Sequence, residues 1–358
     1  MLNCKGGLLI NCPPFKLLRQ FIRSNQSKFQ EVIHVGLILS VFEQGMIYAI
    51  MGLGVYITYK ILDFPDLTVD GSFPLGASIA AAMISRDMNP LLAVLVACAA
   101  GAVVGFLTGL IHVKLKVRDL LSGIIMMTAL YTVHLRIAGR ANLPIYGKAT
   151  IFDNGIVNSI FTGPLAQFKT VIIILVVTLI AKYLLDWYLS TQSGFMLRAV
   201  GDNETIVTSS GVDEGKVKII GLAISNALVT TGGCIYAQQQ RFYDASMGPG
   251  TVVIGLASVI IGTSLFRKVT FLRVTSSVVI GSILYKACVA IAIKLGMPSS
   301  DLKLITAVLF LAILVIAMER KTKMKDPANA GGTNAAVSAG STGSGAPGAQ
   351  TRNGNGEA

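Results

Sequence analysis

Gly194 to Asn226 reads GFMLRAVGDNETIVTSSGVDEGKVKIIGLAISN, the longest polar interval between the apolar runs of the middle of the chain. Its polarity is ordered. Asp202 and Asn203 are good helix N-caps, because their side-chain oxygens can accept a backbone N–H of the first turn. Two turns later Gly211 offers a left-handed helix stop. The spacing predicts one short helix over Glu204 to Ser210, with Lys216 and Lys218 just before the next apolar run. A short capped helix between two membrane spans, flanked by Arg198 and the two lysines, suits a docking surface on the cytoplasmic face. An ordinary structured loop would carry the same cap signals.

The surroundings are those of a membrane. Of the 358 residues 53% are hydrophobic and only 13% charged, against about 25% charged in a soluble domain. Several apolar runs approach the 20 or so residues needed to cross a bilayer. The expected fold is all-α and polytopic, with about nine spans. They fall near 40–59, 67–84, 90–113, 119–138, 168–189, 216–237, 250–266, 274–295 and 301–318. The alternating ten-residue strands of a membrane β-barrel are absent. At least one span should be broken or re-entrant. Asp63, Asp66 and Asp70 crowd the start of the second, and Pro65, Gly71 and Pro74 interrupt it. Charges and breakers at a membrane segment mark unwound backbone beside protein or a cavity.

Positive charge orients the spans. Lys114, Lys116 and Arg118 follow the third span, Arg198, Lys216 and Lys218 surround the polar interval, Arg267, Lys268 and Arg273 follow the seventh, and Arg320 to Lys325 the ninth. With the interval 194–226 inside, all four clusters fall inside, and nine spans then make the C-terminus cytoplasmic and the N-terminus external. The net charge of +12 therefore reads as basic loops and tails, not as a nucleic-acid surface. The loop from Gly139 to Lys169 is the longest external segment and a candidate docking face for an external partner. Residues 1–30 read as a basic amphipathic extension suited to a membrane surface, with Phe15, Leu18 and Ile22 on one side and Lys16, Arg19 and Arg23 on the other. Those charges would lie outside, against the rule; either residues 31–42 help form a tenth crossing or the first residues form a peripheral extension, and the peripheral extension is the preferred reading. No cleavable signal peptide is evident. Residues 31–320 are expected to form the transmembrane domain, with the polar docking loop at about 194–216. Residues 326–358 are low in large apolar side chains and are expected to be disordered.

No phosphate-binding GxxxxGK[ST], HExxH or GxSxG motif occurs. The five cysteines form no CxxC pair and the three histidines are scattered. No catalytic, cofactor or metal site is expected. Gly101, Gly105 and Gly109 form a double GxxxG that lets another helix approach closely, within the bundle or across a dimer. Thr68, Asp70 and Ser72 at the broken second span, Gln238 and Gln240 at the end of the sixth, and Lys286 in the eighth are candidates for a translocation pathway. A lysine at that depth needs a partner or water, and Glu43 and Asp70 are candidates. Capping by Asp66 or Thr68 is the structural alternative at the second span.

The run Arg198 to Asn203 (RAVGDN), then Ser210-Gly211-Val212, Lys216, Lys218 and Ser225, resembles the cytoplasmic coupling loop of ABC importer permeases in the branched-chain amino acid and ribose permease superfamily. Asp66 to Gly76 (DLTVDGSFPLG) and Tyr236 to Gly262 (YAQQQRFYDASMGPGTVVIGLASVIIG) are similar to the subgroup assigned to tryptophan or tyrosine uptake. The resemblance covers residues 43 to 318. It implies a non-catalytic permease subunit of the bacterial inner membrane, working as a dimer and importing a small solute such as an amino acid. It implies an ATPase subunit inside, which holds ATP-Mg, and a substrate-binding protein outside. Coupling would run through Arg198, Gly201, Asp202, Asn203, Glu204, Val207, Gly211 and Lys216. Relatives often carry a carboxylate after Ile-Ile-Gly; Thr263 stands there, so any role of that acid does not carry over. The competing reading is a stand-alone ion- or proton-coupled carrier using Asp70 and Lys286.

Overall fold

A computed structural model of the chain describes residues 36–160, 168–209, 211–266 and 273–294, with scattered residues between 304 and 315. The amphipathic segment 1–30, most of the run 301–318, the cluster Arg320 to Lys325 and the tail 326–358 lie outside the described residues. So do Arg267, Lys268 and Ser210.

Helices dominate. They are α1 (Gly36–Ile61), α2 (Val69–Ser85), α3 (Pro90–Leu115), α4 (Asp119–Ala138), the short α5 (Gly155–Ile160) and α6 (Lys169–Leu189). There follow α7 (Gln192–Asp202), α8 (Glu204–Ser209), α9 (Glu214–Gln240), α10 (Thr251–Leu265) and α11 (Val274–Lys294). Among the described residues seven helices are long and apolar enough to cross a membrane. The protein is a multi-pass membrane protein. The count of nine is not confirmed among the described residues: the run 301–318 is mostly undescribed, and α2 has 17 residues, about 25 Å at 1.5 Å per residue against a hydrocarbon core of about 30 Å.

The breakers around α2 act differently from the expectation. Gly71 and Pro74 lie inside a continuous helix. The irregular backbone precedes it, at Leu62 to Thr68, after α1 ends in a π-helical turn over Ile57–Ile61. A second irregular stretch, the 3-10 turn Ala245–Met247 and Gly248 to Gly250, leads into α10. It reaches α2, where Gly248 packs on the Asp70 carbonyl and Pro74.

The bundle is built on α9, pressed between α2 and α3. Glycine makes this possible. A Cβ on Gly101 or Gly105 of α3 would fall on the carbonyl oxygens of Asn226 or Leu222, and one on Gly76 of α2 on that of Thr230. Gly109 lies against the Cα of Ile219. The double GxxxG thus faces α9 of its own chain.

The two ends differ. At one, β1 (Asn142–Pro144) pairs antiparallel with β2 (Phe242–Asp244), with Leu143 opposite Tyr243. Arg241 ties this ribbon to the rest of the 139–155 loop, donating to the Lys148 carbonyl at 3.1 Å and to Asp153 at 2.7 Å. Burial pushes the Tyr243 phenol up, so its hydroxyl stays protonated, and it is hydrogen-bonded to Nδ1 of His134 at 2.6 Å. At the other end meet Leu62 to Phe64, the C-terminal end of α3, the start of α4, and Val200 to Asn203. The basic residues Lys114, Lys116, Arg118, Arg198, Lys216 and Lys218 belong to this end. Arg273 joins it through Asp186 of α6, at 3.4 Å.

Candidate functional site

The interval first quoted forms two helices where one was expected. Residues from Gln192 to Asp202 are already helical, because Thr191 caps the start by accepting the Gly194 N–H and because Leu197 and Val200 have a core to bury against. Asp202 therefore ends α7 and does not start the next helix. Asn203 is extended (φ −162°, ψ 106°) and separates α7 from α8. Gly211 takes φ +76°. Its N–H donates to the Thr208 carbonyl at 3.0 Å, and that of Val212 to Val207 at 3.3 Å, the paired bonds of a left-handed helix stop.

Two residues anchor this pair. Val207 is 1% exposed and sits in the same apolar cluster as Tyr56, Ile57 and Ile61 of α1 and Val217 of α9. Gly201 lies directly on the π-helical end of α1, where a Cβ would fall on the Ile61 carbonyl oxygen. Arg198 and Thr208 are exposed. Lys216 is exposed, 3.7 Å from Asp213, whose side chain also caps α9 through the Gly215 N–H. A polar cleft of about 400 Å³ opens beside α7, lined among others by Asp63, His112, Asp119, Asp202, Asn203 and Lys218.

The pathway candidates do not converge. Thr68 and Ser72 are enclosed. Thr68 donates its N–H to Asp66 at 2.8 Å and its hydroxyl lies 3.3 Å from that of Thr108. Ser72 donates to Asn226 at 2.6 Å, and Asn226 donates to Asp66 at 2.9 Å. This buried chain, Asp66–Asn226–Ser72, ties the entry of α2 to α9. Asp70 faces away from it and holds the start of α10. Its carboxylate accepts the Gly250 N–H at 3.0 Å, the Thr251 hydroxyl at 2.9 Å and the Val252 N–H at 2.8 Å. Gln238 is buried, accepting from Ile151 N–H at 3.1 Å and donating to the Pro90 carbonyl at 3.4 Å. Gln240 is half-buried.

Lys286 pairs with neither expected carboxylate. Its Nζ stands 3.7 Å over the ring of Tyr48, while Glu43 accepts from Gln239 at 3.0 Å. The carrier reading required Asp70 and Lys286 as a couple, and the two serve different helices. Asn226 was missed among these residues. It is an amide within the apolar run 216–237, and that was the available signal.

A family model described as the permease component of the branched-chain amino acid transport system matches residues 37–318. The chain is 44% identical over 277 residues to a tyrosine transport system permease protein of Clostridioides difficile, covering 77% of this chain and 90% of that one. It is 30% identical over 295 residues to an uncharacterized protein of Rickettsia prowazekii, covering 80% and 99%. It is 28% identical over 238 residues to the ribose import permease protein RbsC of Escherichia coli K12, covering 63% and 68%. No solved structure matches.

Proposed function

The chain belongs to the branched-chain amino acid transport system permease family, and on that premise we propose that it is the membrane-spanning subunit of a bacterial ABC importer. It sits in the inner membrane with the α7–α8 end and the C-terminus in the cytoplasm. Two copies form the pathway. An ATPase subunit, which binds ATP-Mg, docks on α7 and α8. A substrate-binding protein delivers solute at the ribbon end. The solute is a small amino acid with an aromatic side chain, in keeping with the named tyrosine permease among its relatives.

One observation carries the coupling part of this reading. The α7–α8 pair presents Arg198 to solvent on one side and on the other is locked to α1 by Gly201 and to the core by Val207. A displacement applied from the exposed side passes into α1, because packed interiors move as rigid pieces. Arg198→Glu reverses a charge on the exposed face and removes no packing. Uptake and substrate-stimulated ATP hydrolysis should fall together, by about tenfold or more if an ion pair to the ATPase is lost. Affinity for the external binding protein should not change. Normal uptake and ATPase stimulation in this variant would remove the coupling assignment.

The orientation has its own test. In a background free of native cysteines, a cysteine at Tyr146, 68% exposed at the ribbon end, should react with an impermeant thiol reagent added to intact cells. A cysteine at Thr208 should react only after the membrane is opened. The reverse pattern would invert the topology.

A further inference from the structure

Toward the ribbon end of the bundle, six side chains from four helices form a mixed charged and aromatic cluster. Tyr48 of α1, Phe73 of α2 and Tyr236 of α9 pack ring on ring, with centroids 5.5 to 5.7 Å apart. Lys286 of α11 caps the Tyr48 ring at 3.7 Å. Glu43, about one and a half turns from Tyr48 along α1, accepts from Gln239 at 3.0 Å, and the Oε1 of Gln239 is buried with no hydrogen-bond partner. Ser282 donates to the Gly45 carbonyl at 2.9 Å, which fixes α11 beside this part of α1.

The inventory is unusual for a cluster that only packs helices. A cation in a membrane interior is normally joined to a carboxylate. Among the described residues Lys286 makes no ion pair, and neither does Glu43. A basic and an acidic side chain are both present, and each faces a neutral partner. The buried Gln239 oxygen adds an unused acceptor beside the carboxylate. Tyr236, partly exposed where Tyr48 and Phe73 are enclosed, is the ring through which the cluster can open.

We propose that this cluster is a solute-recognition site for a zwitterionic aromatic α-amino acid, entered from the ribbon end. Lys286 takes the carboxylate. Glu43 and the free Gln239 oxygen take the ammonium group. The solute ring replaces a ring–ring contact at Tyr236, since aromatic faces exchange partners at little cost. A zwitterion is the solute that satisfies both separated charges at once. A fatty acid, an amine or a sugar would leave one of them, or all three rings, unmatched. The assignment rests on the importer reading for its direction of transport, and on the cluster alone for its chemistry.

The test titrates the full-length chain in nanodiscs with tyrosine, tyramine and 3-(4-hydroxyphenyl)propionate. The wild type should bind tyrosine about tenfold or more tightly than either truncated analogue, because a site that pairs a group discriminates strongly against its absence. Lys286→Gln should erase the preference over tyramine and keep that over the propionate. Glu43→Gln should do the opposite. A general loss of fold would lower all three affinities together, and Lys286→Arg should restore the carboxylate preference. Wild-type binding of none of the three, or variants that leave both preferences intact, would overturn the site. Uptake of labelled tyrosine by cells holding the chain with its own ATPase and binding protein is measured separately. Absent uptake would count against the importer reading, while intact uptake in Lys286→Gln and Glu43→Gln would count against the site alone.

Discussion

Asp70→Ala should abolish uptake and lower the thermal stability of the purified chain. The carboxylate is the N-terminal partner of α10 although it lies 180 residues earlier in sequence. It accepts two backbone N–H groups and one hydroxyl there. Helix N-termini carry orphan donors, and a negative charge beside them is favourable. Alanine would strand those donors within the bundle, at about 1–3 kcal/mol for each that water does not reach. Asp70→Asn keeps one acceptor oxygen and loses the charge, so it should fall between the two. The measurement is a melting curve in detergent, with uptake compared at equal membrane abundance. If Asp70→Ala melts with the wild type, the bonds to α10 are not part of the stable fold.

Gly201→Ala should separate ATP hydrolysis from transport. A Cβ there would fall on the Ile61 carbonyl at the π-helical end of α1, so α7 must shift away from α1. Overpacking of this kind costs about 1–3 kcal/mol. The shift acts on the contact that joins the exposed α7–α8 pair, proposed to couple to the ATPase, to the bundle. Uptake should drop by about tenfold or more, by analogy with the cost of misplacing a positioned group. Basal ATP hydrolysis by the assembled complex should persist. Gly211→Ala is the control. It also alters a glycine of the same loop, at φ +76°, but its Cβ would meet nothing within 4 Å. Its cost is the conformational one of about 1–2 kcal/mol, and it leaves the α1 contact in place. Equal uptake in Gly201→Ala and wild type would show that α1 does not take up the movement of α7.

The interval from Gly194 to Asn226 shows where local reading succeeds and stops. Gly211 was legible as a helix stop, because the left-handed turn it makes involves only Val207 to Val212. The helix before Asn203 was not. Gly194 and Gly201 look like breakers in isolation. In the fold they are points of close approach, Gly194 to the backbone at Tyr188 and Leu189 and Gly201 to Ile61. Leu197, Val200 and Val207 gain enough from burial against α1 and α9 to outweigh weak local helix preference.

The same division runs through the polar residues. Asp66, Asp70 and Ser72 were legible as unusual, since their cost in a membrane depends only on their own chemistry. Their partners were not. Asp66 is matched by Asn226 and Asp70 by Gly250 to Val252, pairings that need distant segments to meet. Lys286 was placed in a helix correctly, and its expected carboxylate proved to be an aromatic ring.

By itself the sequence determined the all-α membrane class, the apolar segments and the gathering of basic residues in particular loops. Those are sums over neighbouring residues: transfer of about 20 side chains into hydrocarbon and the charge of short loops. Tertiary structure alone decided that the GxxxG run faces α9, that Asp70 begins α10 and that Gly201 seats the α7–α8 pair on α1. Each of these rests on one backbone approaching another to within contact distance, a term that no stretch of the chain contains on its own.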